Sequence, residues 1–266
     1  MLNFLKKVGW VLAWPWVAMI CGIELLSCKT VAKRYEKDPT CLEPEERYNK
    51  VNKLVKHILY WKDIKIAYRG KTKLENKPML FVANHKSNAD ALVILKTVLE
   101  QKVPNIVFVA KIELAASKIA PILNLIDTIY IDRENLRQAV QSINGQSEAL
   151  QKNKVSVCIF PEGTRIEGNE FGEFKAGALG AAYKTYASIQ PVVIYNSEGI
   201  LDKDKGKGHK KDRVVDISYM PTIQPNEYMN VDKVIYAKRL QDKMYQEYLR
   251  LEKHHKDPID NPKFEK

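Results

Sequence analysis

Two polar clusters interrupt apolar runs in this chain of 266 residues, and the first contains a histidine and a carboxylate. The apolar residues 79–83 are followed by Asn84 and His85, and Asp90 comes five positions after the histidine. On one continuous helix, side chains five residues apart point about 140° away from each other. His85 and Asp90 therefore meet only if the histidine lies in a turn and the aspartate in the first turn of the helix that follows.

In that arrangement the Asp90 carboxylate would accept a hydrogen bond from the imidazole Nδ1–H, and Nε2 would be open to take a proton as a general base. Ser87 or Asn88 would cap the helix, and N–H groups at the helix start would be donors for an oxyanion. A histidine that makes only a structural hydrogen bond is the alternative. Ser87 is expected to be a cap rather than a nucleophile.

The second cluster is the sequence FPEGTR at residues 160–165, which ends another apolar run. Gly163 permits backbone angles that other residues disfavour, and Thr164 and Arg165 supply hydrogen-bond donors. A guanidinium binds a phosphate through two parallel hydrogen bonds. The cluster therefore predicts a phosphate site, and an ordinary surface ion pair between Glu162 and Arg165 is the alternative.

The elements that position these clusters alternate between β-rich and helical stretches from residue 64 onward. This alternation predicts an α/β fold with a mostly parallel sheet flanked by helices. Parallel sheets bind ligands at the carboxyl ends of their strands, and each polar cluster directly follows a predicted strand. The predicted strands are residues 64–68, 79–83, 105–110, 128–131, 155–160, 189–195 and 213–220, and a long final helix is predicted over residues 231–251.

The N-terminus has the composition of a membrane-associated segment. Residues 8–23 carry no charge and include three tryptophans, Pro15 interrupts them and Glu24 ends them. As one helix they would reach about 24 Å, less than the roughly 30 Å of a hydrocarbon core. Because tryptophan favours the membrane interface, a helix that dips into or lies along one leaflet is predicted. A short span, a cleaved signal peptide and a buried helix are the alternatives.

A second N-terminal helix is predicted to begin at Pro44, which is followed by two glutamates. Its apolar residues recur at steps of three and four, so they form one stripe. The stripe fits two interpretations equally well: an amphipathic helix on an anionic membrane, or a helix packed on its own domain. The apolar residues are Tyr48, Val51, Leu54, Val55, Ile58 and Leu59.

The charge balance favours an anionic partner. The chain has 43 basic and 32 acidic residues, a formal net charge of +11, and residues 201–213 form a basic loop. Such a surplus suits acidic lipid, an acidic carrier protein, a phosphorylated substrate or nucleic acid, although no basic–aromatic pattern supports nucleic acid. The four cysteines have no metal-ligand spacing, and no nucleophile elbow, Walker A loop or dinucleotide fingerprint is present.

Together the motifs resemble those of the glycerolipid acyltransferases, specifically the 1-acylglycerol-3-phosphate O-acyltransferases. The resemblance covers about residues 60 to 250. It departs from the family pattern in the middle block, at Lys118 and Pro121, and after the second cluster, at Ile166 and Glu167. The matching residues are Asn84, His85 and Asp90, the KIEL and IYIDR stretches at residues 111–114 and 129–133, all of residues 160–165, and residues 173–178 and 190–194.

The resemblance implies transfer of an acyl group from a thioester to the sn-2 hydroxyl of lysophosphatidic acid, forming phosphatidic acid in phospholipid biosynthesis. The donor would be acyl-CoA or acyl carrier protein, and no cofactor or metal is implied. Glycerol 3-phosphate or another lysophospholipid is the alternative acceptor, and a non-catalytic membrane scaffold is the alternative class. His85 and Asp90 would be catalytic, and Glu162, Gly163, Thr164, Arg165, Lys111 and Arg133 would bind the substrate.

Three regions are predicted along the chain. Residues 1–62 would be a membrane-associated helical region that precedes the α/β sheet, residues 63–253 the acyltransferase domain, and residues 254–266 a polar tail. The protein would sit on the cytoplasmic face of the cell membrane, anchored by the N-terminal apolar segment and bound to an anionic surface.

Overall fold

The structure is a computed structural model that describes residues 2–70, 73–101, 103–201 and 214–256. The side chains of residues 2–14, Val17 and Leu136 are outside this description, and so are residues 202–213 of the predicted basic loop and residues 257–266 of the predicted tail. Two of the three N-terminal tryptophan side chains therefore lie outside the described part.

The described residues form one sheet of seven strands in the order β1-β7-β6-β2-β5-β3-β4. All neighbouring strands are parallel except β6 and β7, which are antiparallel. The predicted α/β class with a mostly parallel sheet is therefore confirmed. The strands are β1 (Lys65–Tyr68), β2 (Leu80–Ala83), β3 (Ile106–Lys111), β4 (Ile129–Ile131), β5 (Ser156–Ile159), β6 (Ile189–Tyr195) and β7 (Val214–Tyr219).

Helices cover both faces of the sheet. The helices are α1 (Leu2–Lys37), α2 (Pro44–Trp61), α3 (Ala89–Glu100), α4 (Ala120–Leu125), α5 (Leu136–Gln151), α6 (Gly180–Thr185), α7 (Pro225–Tyr228) and α8 (Lys233–Lys256), with short 3-10 helices at Ile112–Ala116 and Ala176–Leu179. One core cluster joins α1, α2 and α3 to the sheet, and the other joins α5, α6 and α8 to the opposite face. Successive residues of β2 belong to opposite faces of the sheet: Phe81 lies in the first cluster and Val82 in the second.

The stripe of α2 packs on the protein's own core. Tyr48, Val51 and Leu54 are at most 4% exposed and belong to the cluster that reaches the sheet. Of the two readings of this stripe, the structure therefore supports packing within the domain. The helix begins at Pro44 as predicted, and a capping box formed by Glu43 and Glu46 satisfies its first N–H groups.

The predicted interruption of the N-terminal helix is wrong. Helix α1 continues through Pro15 and past Glu24 to Lys37. Glu24 is buried and forms ion pairs with Lys50 and Lys53 of α2. Because these lysines compensate the carboxylate, the charge is accommodated inside the helix pair instead of ending α1. Within the described part of the chain, no helix combines the length and apolar character that a membrane crossing requires.

Two short helical elements fill the stretch between β3 and β4. A 3-10 helix comes first, and Pro121 lies in the first turn of α4, where a missing N–H costs nothing. Buried Arg47 of α2 fixes α4, since its Nη1 donates to the Leu125 carbonyl and to Asp127, both at 2.8 Å. The N-terminal helices are thus joined to the block that leads to β4.

Candidate active site

The predicted contact between His85 and Asp90 is confirmed. His85 lies in the turn after β2, and Asp90 lies in the first turn of α3. The imidazole Nδ1 is 3.0 Å from Asp90 Oδ2, and the carboxylate is completely buried. A buried carboxylate at this distance holds Nδ1–H as the donor, which leaves Nε2 as the acceptor of the neutral ring.

The same carboxylate oxygen organises the turn. Asp90 Oδ2 accepts hydrogen bonds from the N–H groups of Lys86 at 2.7 Å and Ser87 at 2.8 Å. Three donors therefore converge on one oxygen, and the turn cannot shift without breaking several charge-assisted bonds. The other oxygen, Oδ1, is buried and has no hydrogen-bond partner among the described residues.

The imidazole ring also packs against the second cluster, residues 160–165. Phe160, at the end of β5, stacks against His85 with ring centroids 4.1 Å apart and planes 21° from parallel. β2 and β5 are neighbouring parallel strands, so both polar clusters lie at the same edge of the sheet. The His85 side chain is 19% exposed, and within the described residues no hydrogen bond engages Nε2.

A closed ring of contacts joins the histidine turn to the FPEGTR turn. The His85 N–H donates to Glu162 Oε1 at 2.7 Å, and the His85 carbonyl accepts from the Ile166 N–H at 3.0 Å. Glu162 Oε2 accepts from the Gly172 N–H at 2.7 Å. Ile166 closes the ring, since a Cβ on Gly172 would lie 2.7 Å from the Ile166 Cδ1 atom. A larger residue at position 172 would have to displace the Ile166 side chain.

Glu162 is turned into the protein. The residue is 6% exposed, and both carboxylate oxygens accept backbone hydrogen bonds. Burial raises the pKa of this carboxyl group, and the hydrogen bonds from Gly172 and His85 and the charge of Lys86 oppose that rise. The predicted part of Glu162 in substrate binding stays a prediction, and its observed contacts are those of a residue that fixes the two turns together.

Three of the remaining predicted binding residues lie beside Gly163, and the fourth, Lys111, lies at the end of β3. This glycine has a φ of +76°, and the guanidinium of Arg133 packs over it, since an added Cβ would lie 3.2 Å from Arg133 Nη1. Thr164 and Arg165 are exposed in the same turn. Lys111 is exposed at the end of β3, in register with Ile131 of β4.

Four of the N–H groups around the start of α3, where oxyanion donors were expected, are already engaged, and the oxyanion role stays a prediction. The N–H of His85 binds Glu162, those of Lys86 and Ser87 bind Asp90, and that of Ala89 binds the Ser87 hydroxyl. The Ser87 hydroxyl also donates to the Ile200 carbonyl. Ser87 is thus engaged in local hydrogen bonds, as expected for a residue at a helix start.

Two residues of the site were not predicted as functional. Asn84 forms a strand-like pair with Ile194 of β6, donating to its carbonyl at 2.9 Å and accepting from its N–H at 2.8 Å. Lys86 is only 4% exposed. The Asn-His sequence directly after a strand was the available signal for Asn84, whereas a lysine in a polar turn gave no sign of burial.

A cavity of about 610 Å³ lies away from these clusters. Its lining includes Pro78, two residues before β2, and Ser188, directly before β6. It therefore opens at the amino ends of the strands, opposite His85. The polar clusters and this cavity are separate features of the fold.

Comparison with known proteins identifies similar chains. The family model described as Acyltransferase matches residues 65–195. The chain is 38% identical over 205 residues to the probable 1-acyl-sn-glycerol-3-phosphate acyltransferase of Mycoplasma pneumoniae, covering 77% of this chain and 75% of the relative. It is 35% identical over 236 residues to the protein of the same name in Mycoplasma genitalium, covering 86% of this chain and 88% of the relative.

A solved structure is also similar. The crystal structure of the 1-acyl-sn-glycerophosphate (LPA) acyltransferase from Thermotoga maritima matches with a TM-score of 0.68 and 19% sequence identity. The match covers 93% of this chain and 98% of the other. At this level of identity the likeness is one of fold.

Proposed function

This chain belongs to the family of the 1-acyl-sn-glycerol-3-phosphate acyltransferases, and from that premise we propose how its residues carry out the reaction. The enzyme transfers a fatty acyl group from an acyl thioester to the free sn-2 hydroxyl of 1-acylglycerol 3-phosphate, and the product is phosphatidic acid. The observation that carries this proposal is the His85–Asp90 pair, whose Nε2 has no hydrogen-bond partner among the described residues and which lies at the same sheet edge as the exposed turn that contains Arg165.

In the proposed mechanism His85 is the general base. Nε2 takes the proton of the acceptor hydroxyl while the oxygen attacks the thioester carbonyl, and the thiolate leaves from the tetrahedral intermediate. Asp90 keeps the ring in the correct tautomer and stabilises the imidazolium that forms. The proton then passes to the departing sulfur. A positioned base contributes typically about 10²–10⁴-fold to such a step.

The acceptor phosphate is proposed to bind at the exposed turn after β5. Arg165 and Thr164 supply donors there, and Arg133 supplies a second guanidinium beside Gly163. Lys111 adds positive charge at the neighbouring strand end. Glu162 acts indirectly in this scheme, because a carboxylate would repel the phosphate and its oxygens already hold the backbone of both turns.

The donor is proposed to be acyl-CoA or acyl carrier protein. Both are polyanions, and a chain with a net charge of +11 attracts them over a range set by the ionic strength. The basic surplus gives the same preference for either donor, so side-by-side assays with the two donors decide between them.

Helix α1 is proposed to bind the surface of an anionic membrane leaflet. Its exposed apolar residues recur at steps of three and four, as on one helix face, and lysines follow that face toward the C-terminus. A lipid acceptor would then enter the site from the leaflet. The exposed apolar residues are Trp16, Met19, Ile20, Ile23 and Leu26, and the lysines are Lys29 and Lys33.

Sedimentation with vesicles of phosphatidylglycerol tests this membrane surface. The Ile23→Asp/Leu26→Asp variant is expected to leave the vesicle fraction, whereas Val140→Asp, an equally exposed apolar position on α5, is expected to stay bound. Equal binding by the two variants would refute the assignment of α1.

The reaction itself is tested with purified protein, detergent-dispersed lysophosphatidic acid and an acyl thioester. Free thiol and phosphatidic acid are expected to appear together, and His85→Ala is expected to stop both. Glycerol 3-phosphate and lysophosphatidylcholine serve as competing acceptors. Faster turnover with glycerol 3-phosphate would overturn the assigned acceptor, and full activity of His85→Ala would overturn the assigned base.

A further inference from the structure

Lys86, between His85 and Ser87, is a buried cation that the proposed mechanism does not use. The residue is 4% exposed, and its Nζ donates to the Glu170 carbonyl. The ammonium also lies 5.6 Å from the ring centres of Phe171 and Tyr248, so cation–π attraction adds to the hydrogen bond. A lysine is seldom buried to this extent unless its charge is compensated.

The compensation comes from carboxylates that surround the histidine turn. Burial lowers the pKa of Lys86, and nearby acidic groups, Glu162 foremost, oppose that effect and favour the charged ammonium. Asp90 and Glu162 are themselves buried, at 0% and 6% exposure. The charged or titratable groups around Lys86 are Asp90 of its own turn, Glu162 of the FPEGTR turn, Glu170 of the following loop, Glu198 after β6, and Tyr248 of α8.

Lys86 therefore places a buried cation in the same group as two buried carboxyl groups, those of Asp90 and Glu162. Without Lys86, two carboxylates would favour the imidazolium more strongly, because an opposite charge stabilises an ionised group.

We propose that Lys86 is a positioning residue whose buried ammonium offsets the charge of Asp90 and Glu162, so that these carboxylates hold a proton on the His85 base less strongly than they would alone. This inference rests on the proposed role of His85 as the base. It gives Lys86 an electrostatic task in addition to its mechanical link between the histidine turn, the loop around Glu170 and helix α8.

The two tasks predict different behaviour in variants. If the role of Lys86 is purely mechanical, its substitution should change activity by the same factor at every pH. An electrostatic Lys86 would change the pH at which His85 gains its proton, and removal of a buried carboxylate would change that pH in the opposite direction. Opposite displacements from two neighbouring substitutions cannot come from loosened packing alone.

The experiment titrates the histidine rings directly by NMR, using protein labelled at histidine Cε1 and held in detergent micelles. His85→Gln identifies the His85 signal by its disappearance. The variants are Lys86→Met, which keeps the side-chain length but removes the charge, Lys86→Arg, which keeps the charge, and Glu162→Gln. Lys152→Met is the matched control, because Lys152 is an exposed lysine at the end of α5.

In Lys86→Met the titration midpoint of His85 is expected to move up by about 1 pH unit, and in Glu162→Gln to move down by a similar amount. Lys86→Arg and Lys152→Met are expected to keep the midpoint of the unsubstituted protein. The kcat of Lys86→Met, relative to the unsubstituted protein, is expected to rise as the pH increases. These results together would support the proposal.

An unchanged midpoint in folded Lys86→Met, or the same direction of movement in Lys86→Met and Glu162→Gln, would overturn the electrostatic role. The proposed function fails by a different result, namely an active His85→Gln variant. Because the NMR titration needs no turnover, the two failures are distinguishable.

Discussion

Among the described residues, two buried aspartates each contact a histidine, and the comparison sets the pair proposed to be reactive against one whose contacts are structural. In the first, His85 Nδ1 lies 3.0 Å from Asp90 Oδ2. In the second, His255 Nδ1 contacts Asp216 Oδ2, which joins the end of α8 to β7. Both aspartates are fully buried, and the histidine side chains are similarly shielded, at 19% and 14% exposure.

The pairs differ in what lies beyond the contact. Asp216 also accepts a hydrogen bond from Arg69 Nε, so a guanidinium compensates its charge. The far nitrogen of His255 is engaged as well, because Asn196 Nδ2 lies 3.2 Å from Nε2 while the same amide donates to the Val214 carbonyl at 2.8 Å. His85 Nε2 has no such partner within the described residues. The contact between histidine and aspartate is common to both pairs, so we propose that the open nitrogen is the feature that suits His85 for proton transfer.

The largest expected effect is that of His85→Gln. Because the substitution removes the base, kcat should fall by about 10²–10⁴-fold. The corresponding change in the second pair, His255→Gln, should leave kcat unchanged. Thiol release at saturating donor and acceptor measures both. A comparable loss in the two variants would erase the proposed difference between the pairs.

Asp90→Asn should have the next largest effect, a fall in kcat of about 10²-fold, because a neutral amide no longer stabilises the imidazolium. Its counterpart Asp216→Asn should keep kcat but lower the free energy of unfolding by about 3 kcal/mol, since the Arg69 guanidinium loses its carboxylate. Denaturant unfolding and steady-state assays separate the two effects. An Asp216→Asn variant that folds stably but turns over slowly would contradict this assignment.

Substitutions of the arginines near the two pairs should also separate, with Arg165 affecting substrate binding and Arg69 affecting stability. Arg165→Ala should raise KM for lysophosphatidic acid by about 10- to 100-fold, the equivalent of a lost charged hydrogen bond worth about 1.5–3 kcal/mol. Arg69→Ala should leave that KM unchanged and destabilise the fold. Arg239→Ala, an exposed arginine on α8, is the surface control. An unchanged KM in Arg165→Ala would remove Arg165 from the phosphate site.

The smallest expected effect is on stability in His255→Gln. Loss of one hydrogen bond to a charged group should lower the free energy of unfolding by about 1.5 kcal/mol, or about 3–6 °C in Tm for a protein of this size. Scanning calorimetry in detergent measures this shift. If Tm rises or stays constant, the second pair does not stabilise the junction between α8 and β7.

The sequence predicted those parts of the site that depend on short-range spacing. His85 and Asp90 are five residues apart across a turn and a helix start, so the type of each residue and the predicted strand before them were sufficient. The parallel sheet then placed residues 160–165 beside them, because parallel strands that are neighbours in the sheet have their carboxyl ends at the same edge. Arg133 was expected at the site only from the family resemblance, and its guanidinium packs over Gly163.

Other parts could not be predicted because they depend on tertiary packing. His255 and Asp216 are separated by 39 positions, and nothing in either local sequence indicates that α8 ends against β7. Lys86 lies in a polar turn, and its burial depends on Phe171 and Tyr248 from other segments. Helix α1 continues past Pro15 although an interior proline costs about 3 kcal/mol, because its later turns pack against α2.

A crystal structure of the protein with lysophosphatidic acid, in the absence of donor, tests the central claim most directly. The acceptor's sn-2 oxygen is predicted to lie about 2.6–3.2 Å from His85 Nε2, with the phosphate against Arg165 and Thr164. A phosphate bound in the cavity lined by Pro78 and Ser188, or an sn-2 oxygen closer to His255 than to His85, would contradict it.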